Sequence, residues 1–215
     1  MIMLADWHPD ILEFVIAKMQ NPKILRLIID TTQDDEIRAL AKEKLKFTPL
    51  SAEERAIHEF HYDYGPEDEK ASEQSRRLLE DGGTYTVQNP DFLTGANISV
   101  AITTEFMQAV ESDSEYDLRF PDVENYSKHD MISYNAHWHE LGDVRKWEGL
   151  GMAIKTYRTI KAKELWNLIN ICATYSAEPG IFFLDNANEA TNAQGYGQQV
   201  VATNPCGEQP LAPYS

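Results

Sequence analysis

Three short apolar runs, set far apart and separated by stretches of helical character, constrain this chain more than any other feature. Met1–Ala5 is apolar without polar alternation, like a buried strand. Asn97–Thr103 (Asn-Ile-Ser-Val-Ala-Ile-Thr) has the length and β-branched content of a strand, and Ile181–Leu184 is a third. Between them the order runs strand, helix, helical stretch, strand, helix, helix, strand. That alternation predicts an α/β fold with parallel strands.

The intervening segments carry helix signals of varying strength. Asp6–Pro9 reads as a turn with Pro9 at the first helical position, followed by a helix over Asp10–Met19 that puts Ile11, Phe14 and Val15 on one face. Asp34–Phe47 reads as an amphipathic helix. Ser51 and Glu54 form a capping box that opens another helix to about His61, broken at Tyr64-Gly65-Pro66. A further helix spans Glu67–Asp81 and stops at Gly82-Gly83. Dense charge and low apolar content over 21–93 predict a solvated helical insertion. Thr103 or Thr104 caps a helix that runs to about Ser112. Asp113–Arg145, with Phe120-Pro121 inside it, reads as polar and irregular. Lys161–Ala177 is a strong helix with Leu165, Leu168, Ile169 and Cys172 on one stripe, ended by Pro179-Gly180. Asp185–Thr203 reads as an Asn-, Gln- and Gly-rich loop.

Charge narrows the function classes. With 19 basic against 35 acidic residues among 215, the net charge is -16. A duplex nucleic-acid binder needs a basic face to displace counterions, and docking on anionic lipid needs the same. Neither is expected, although a small anionic ligand can still be held by backbone N–H groups. The apolar runs fall far short of the roughly 20 residues of a spanning helix, and Met1–Asp6 lacks signal-peptide character. A cytoplasmic protein is the expectation. The two cysteines, Cys172 and Cys206, cannot form a disulfide framework or a four-thiolate metal site.

The segment that carries chemistry is Asn204-Pro205-Cys206-Gly207-Glu208-Gln209-Pro210-Leu211. Pro205 and Gly207 disfavour a helix and allow a tight loop. In an extended or looped chain, residues two apart project to the same side. Asn204, Cys206 and Glu208 would then present an amide, a thiol and a carboxylate together. Those groups can bind a hydroxyl, give up a hydrogen atom and accept a proton. A turn with an incidental buried cysteine is the competing reading from spacing alone.

This segment resembles the active-site loop of ribonucleotide reductases, most of all the adenosylcobalamin-dependent class. Three upstream blocks resemble the same family in the same order: Trp7-His8-Pro9-Asp10-Ile11 with Glu13-Phe14, Asn97–Thr103 with Glu105-Phe106-Met107, and Ala177–Asp185. The resemblance covers about 1–20 and 94–215. It implies part of a ten-stranded α/β barrel, about the latter portion of its first half, ending in a finger loop that reaches the barrel centre. The chain divides accordingly into a barrel strand and helix (1–20), the helical insertion (21–93), and barrel strands, helices and finger loop (94–215).

The resemblance further implies that Cys206 becomes a thiyl radical and removes the 3′ hydrogen of a ribonucleotide. Glu208 takes the 3′ hydroxyl proton, and Asn204 hydrogen-bonds the ribose hydroxyls. Adenosylcobalamin is the implied radical source, with a separate metal-containing subunit as the alternative, and a thioredoxin-like protein is the implied reductant. The family's reducing cysteine pair, effector-coupling loop and second half-barrel lie outside this sequence. The expectation is therefore an incomplete fragment, inactive alone, that pairs with the missing N- and C-terminal parts. An end at Ser215 would suit an intein or a split gene. A non-catalytic acidic α/β module that keeps the family's shape is the rival reading.

The remaining candidates read more simply. His137, His139 and Asp143 fit a polar loop better than a metal site, although in a strand the two histidines would share a face. His8 reads as a turn residue, and Cys172 as a packing residue. Trp147, Trp166 and Tyr157 read as core or rim aromatics. Asn186–Gln199 has glycines but no phosphate-loop lysine.

Overall fold

The computed structural model describes residues 1–64, 69–89 and 93–213. In chain order the elements begin with β1 (Ile2–Ala5), α1 (Ile11–Ile16), α2 (Pro22–Thr31) and α3 (Asp35–Glu43). Then come β2 (Leu45–Pro49), α4 (Ala52–Tyr64), α5 (Glu69–Asp81) and β3 (Gly83–Val87). β4 (Ile98–Ile102), α6 (Thr104–Glu111), β5 (Glu115–Pro121), α7 (Lys128–Leu141) and α8 (Val144–Gly149) follow. The chain continues through β6 (Ile154–Lys161), α9 (Ala162–Ser176), β7 (Gly180–Phe183), α10 (Leu184–Ala190), β8 (Ala202–Thr203) and β9 (Pro210–Leu211).

The three apolar runs form one parallel sheet in the order β1-β4-β7. Central β4 is buried at every position, as a strand covered on both faces should be. Leu4, Val100 and Ile102 face the helices and join a core built from α1, α2, α3, α6 and α9. The α9 stripe of Leu165, Leu168, Ile169 and Cys172 is buried in that core, as its period predicts. By strand alternation Met3, Ser99, Ala101 and Phe182 occupy the other face. Gly180 lies against Ser99 so closely that a Cβ would sit 2.6 Å from its hydroxyl, so any side chain there would have to push that hydroxyl aside. Among the described residues the remaining sheets are two-stranded, and no barrel closes.

Several expectations meet corrections. Pro9 precedes the N-cap Asp10 and is not the first residue of α1, which is also shorter than expected. The helix expected over 34–47 ends at Glu43, because Leu45–Pro49 pairs antiparallel with β3. The solvated character expected over 21–93 fails for α2 and α3, which bury Ile24, Leu25, Ile28, Ile37 and Ala41 in the core. It holds for α4, which has no buried residue. Its Ser51–Glu54 capping box is present, with Glu54 N donating to Ser51 Oγ and Ser51 N to Glu54 Oε2. Gly65 and Pro66 lie outside the described residues.

The stretch expected to be irregular, Asp113–Arg145, holds β5, α7 and α8. β5 pairs antiparallel with β6 in an unexpected ribbon. α7 is capped by a Ser127–Asp130 box and stopped by Gly142 at φ 54°. Leu184 starts α10 instead of ending β7, and the expected 185–203 loop contains α10, a 3₁₀ turn over Asn192–Tyr196, and β8. No helix among the described residues is long and apolar enough to cross a membrane.

Candidate active site

The thiol segment is the turn of a small hairpin. β8 and β9 pair antiparallel, Ala202 with Leu211 and Thr203 with Pro210. Gly207 N donates to Asn204 O at 3.0 Å, which makes Asn204–Gly207 a β-turn with Pro205 and Cys206 at its two central positions. Proline presets the first of these, and Gly207 exits at φ 84°, where a side chain would be strained. Asn204 then binds back across the turn. Its Nδ2 donates to Glu208 Oε1 at 2.7 Å, and its Oδ1 accepts from Gln209 N at 2.9 Å. The amide and the acid are thus brought together by the turn, not by strand alternation. Cys206, at the second central position of the turn, is exposed.

The hairpin root lies on the face of the parallel sheet opposite the helices, where Thr203 N meets Met3 Sδ at 3.3 Å. One residue earlier in the chain than β8's lead-in, Val200 is buried and held by a single side chain. Asn188 Oδ1 accepts from Val200 N at 2.8 Å, and Asn188 Nδ2 donates to Val200 O at 2.9 Å.

A second polar constellation sits at the C-terminal ends of the three parallel strands, and of its residues only Asp143 was weighed from the sequence as a site residue, as a metal ligand. Asp6, fully buried just past β1, accepts from Thr103 N, from Thr103 Oγ1 at 3.3 Å and from Tyr116 OH at 2.8 Å. Burial pushes its carboxyl up to about 7, against the pull of these donors and of Arg145. Burial likewise raises the Tyr116 hydroxyl, with Asp6 adding to the shift. Past β7, Asp185 accepts from both terminal nitrogens of Arg145 at 2.8 Å and from Thr104 N at 2.8 Å. The guanidinium hydrogen bond holds this carboxyl down at about 2. Arg145 also donates to buried Asp143, from Nε at 3.0 Å and Nη2 at 2.8 Å, and its own pKa is raised, first by Asp185. A cleft of about 440 Å³ opens beside this cluster, lined among others by Arg145, Asp185, Asn188 and Val200. The end of an apolar strand run was the one signal that could have found Asp6 and Asp185.

The other candidates fall as follows. His137 and His139 lie on α7, where residues two apart point to nearly opposite sides, so the shared face expected of a strand does not exist. Asp143 instead caps α8 and holds Arg145. No cluster of metal-ligating side chains occurs among the described residues. His8 Nδ1 accepts from Asp10 N in the turn, and burial lowers its pKa. Cys172 is buried, and its thiol is pushed up to about 12 by that burial. Trp147 is buried and donates to Tyr126 OH at 2.7 Å, Trp166 packs on the core, and Tyr157 is exposed beneath Lys155.

A helix-backed parallel sheet with a thiol-bearing hairpin on its other face defines an α/β protein. The barrel domain of ribonucleotide reductase matches residues 1–215, and the chain belongs to that family. The vitamin B12-dependent ribonucleoside-diphosphate reductase of Thermoplasma acidophilum is 31% identical over 122 residues, 57% of this chain and 12% of that protein. The protein of the same name from Mycobacterium tuberculosis is 30% identical over 131 residues, 61% of this chain and 14% of that protein. The chain thus spans only a small share of the length of these curated relatives.

Proposed function

We propose that this chain is part of the catalytic chain of a ribonucleotide reductase and carries its hydrogen-abstracting thiol, Cys206. The observation that carries the reading is the Asn204–Glu208 hydrogen bond across the turn that bears that thiol, in a chain of the matching family. In this reading the β1-β4-β7 sheet is part of the first half of a ten-stranded barrel. Residues 1–20 and 94–215 supply the barrel, and 21–93 are an insertion.

The Cys206 sulfur, as a thiyl radical, takes the 3′ hydrogen of a ribonucleotide. Glu208 accepts the 3′ hydroxyl proton, a role that demands a carboxylate within hydrogen-bond reach of that hydroxyl. Asn204 holds the Glu208 carboxylate through one amide hydrogen and offers the other to the ribose hydroxyls. Adenosylcobalamin, when bound, supplies the radical equivalent, and a separate metal-containing subunit is the alternative source. The group on this chain that would receive the radical from either source is the Cys206 thiol, and no residue here is assigned to hold the source. The other barrel segments close over the loop and shield the radical from water. The 2′ hydroxyl leaves as water. The family's cysteine pair, outside this sequence, supplies the two electrons and becomes a disulfide. A thioredoxin-like protein reduces that disulfide, and the whole works in the cytoplasm.

The test is nucleotide reduction by the full-length protein with adenosylcobalamin, a ribonucleoside diphosphate and a dithiol. Deoxynucleotide should form, Cys206→Ser should abolish it, and Glu208→Gln should lower kcat by about 10²–10⁴-fold. Product formed by Cys206→Ser would overturn the reading. The exposure of Cys206 favours a second reading, a non-catalytic acidic module that pairs with the rest of the barrel. No product with any radical source selects that one.

A further inference from the structure

The β8–β9 hairpin has two residue pairs, far too few to be stable or well placed alone. Something must aim it, and the contacts lead in one direction. Val200, at its root, is satisfied on both backbone groups by Asn188, which serves as a one-residue substitute for a neighbouring strand. Asn188 belongs to α10, and Asp185 in the first turn of α10 is gripped by both terminal nitrogens of Arg145 and by Thr104 N. Arg145 is fixed from behind by Asp143, so its fork has one orientation. The next residue, Lys146, donates to Gln199, adjacent to Val200. α8, which lies in the connection between β5 and β6, therefore grips the path to the thiol at two points.

We propose that Arg145 is a positioning residue for the Cys206 loop, acting through Asp185 on α10 and through Asn188 on Val200. The proposal rests on the reading of Cys206 as the reacting thiol. Arg145 itself spends its guanidinium on two carboxylates and is not assigned a substrate contact. A planar fork that bridges two acids is a task lysine does not reproduce, since an ammonium is a point charge on a flexible stem. Loss of the fork releases α10 and with it the root of the hairpin. Displacing a reacting group by about 1 Å costs up to about 10²-fold in rate.

The experiment uses the full-length protein with adenosylcobalamin, a ribonucleoside diphosphate and a dithiol. Arg145→Ala should lower kcat about tenfold to a hundredfold with KM within about twofold of wild type. Arg145→Lys should recover only part of the loss. Iodoacetamide labelling of the Cys206 peptide, followed by mass spectrometry, should accelerate in Arg145→Ala. Should that variant fail to fold, the near-isosteric Asp185→Asn takes its place with the same expectations. An unchanged kcat and labelling rate, with only a lowered Tm, would make Arg145 a structural bridge and overturn the proposal. If wild type makes no deoxynucleotide, or Cys206→Ser still does, the functional reading fails instead. The labelling rate then decides the positioning claim by itself.

Discussion

The helix-backed sheet and the thiol-bearing hairpin use opposite strategies within one chain. The sheet buries side chains: β4 is inaccessible along its whole length, and α1, α6 and α9 lay apolar stripes on it. The hairpin buries almost nothing beyond Val200 and Thr203 and is held by hydrogen bonds to Asn188 and Met3. Apolar burial is cumulative and tolerant of position, whereas a few polar bonds define a direction. The first region makes the chain fold, and the second decides where one sulfur points. A segment held this way belongs to the low-stability end of the molecule.

The sharpest way to break this contrast is to attack the packed side. Phe106 is fully buried and meets Tyr116 edge-on at 5.1 Å. Phe106→Ala should cost about 3–5 kcal/mol in urea unfolding, and a loss below about 1 kcal/mol would show that the helical layer does not carry the stability.

Next in size is a pH effect at the seam between sheet and site. Asp6 has its carboxyl raised from 3.8 to about 7, so the folded chain keeps a proton that the unfolded chain releases. Its contribution is complete below about pH 4 and is lost as pH rises to about 7, a change on the order of 3 kcal/mol. Stability measured from pH 4 to 7 should fall more steeply for wild type than for Asp6→Asn. Parallel profiles would remove Asp6 from the account.

The smallest global effect is expected at the hairpin. Asn188→Ala should cost no more than about 1 kcal/mol overall, because the freed Val200 groups can reach water by local opening. Hydrogen exchange at Val200 and Val201 should nevertheless rise about tenfold, while β4 stays protected. An equal rise in both would merge the two regions into one cooperative unit.

The same contrast separates what the sequence made legible from what it hid. β4, α6 and α9 were readable because burial writes itself as apolar pattern and Thr103 as a cap. α7 was hidden because it has no buried residue, although Ser127, Asp130 and Gly142 mark its ends. β5 was hidden by its charges, although Tyr116 and Leu118 alternate inward before the register shifts at Arg119. β2 continued the helical pattern of α3 and was decided by pairing with β3, 40 residues on. At the site, the turn around Cys206 was legible from Pro205 and Gly207. The bonds from Tyr116 to Asp6 and from Arg145 to Asp185 were not, because they span 110 and 40 residues and exist only once the crossovers are made.

The β2–β3 ribbon has a practical corollary. Its two ends lie side by side, where Gln88 N donates to Lys44 O at 2.8 Å. α4 and α5 lie between those ends, and Arg26 of α2 ties the same region back to the core by pairing with Asp81 at 2.9 Å and lying over the Tyr85 ring. Such a cassette can be excised and replaced by a short reverse turn, or exchanged for a fluorescent reporter, without rethreading any strand of the parallel sheet.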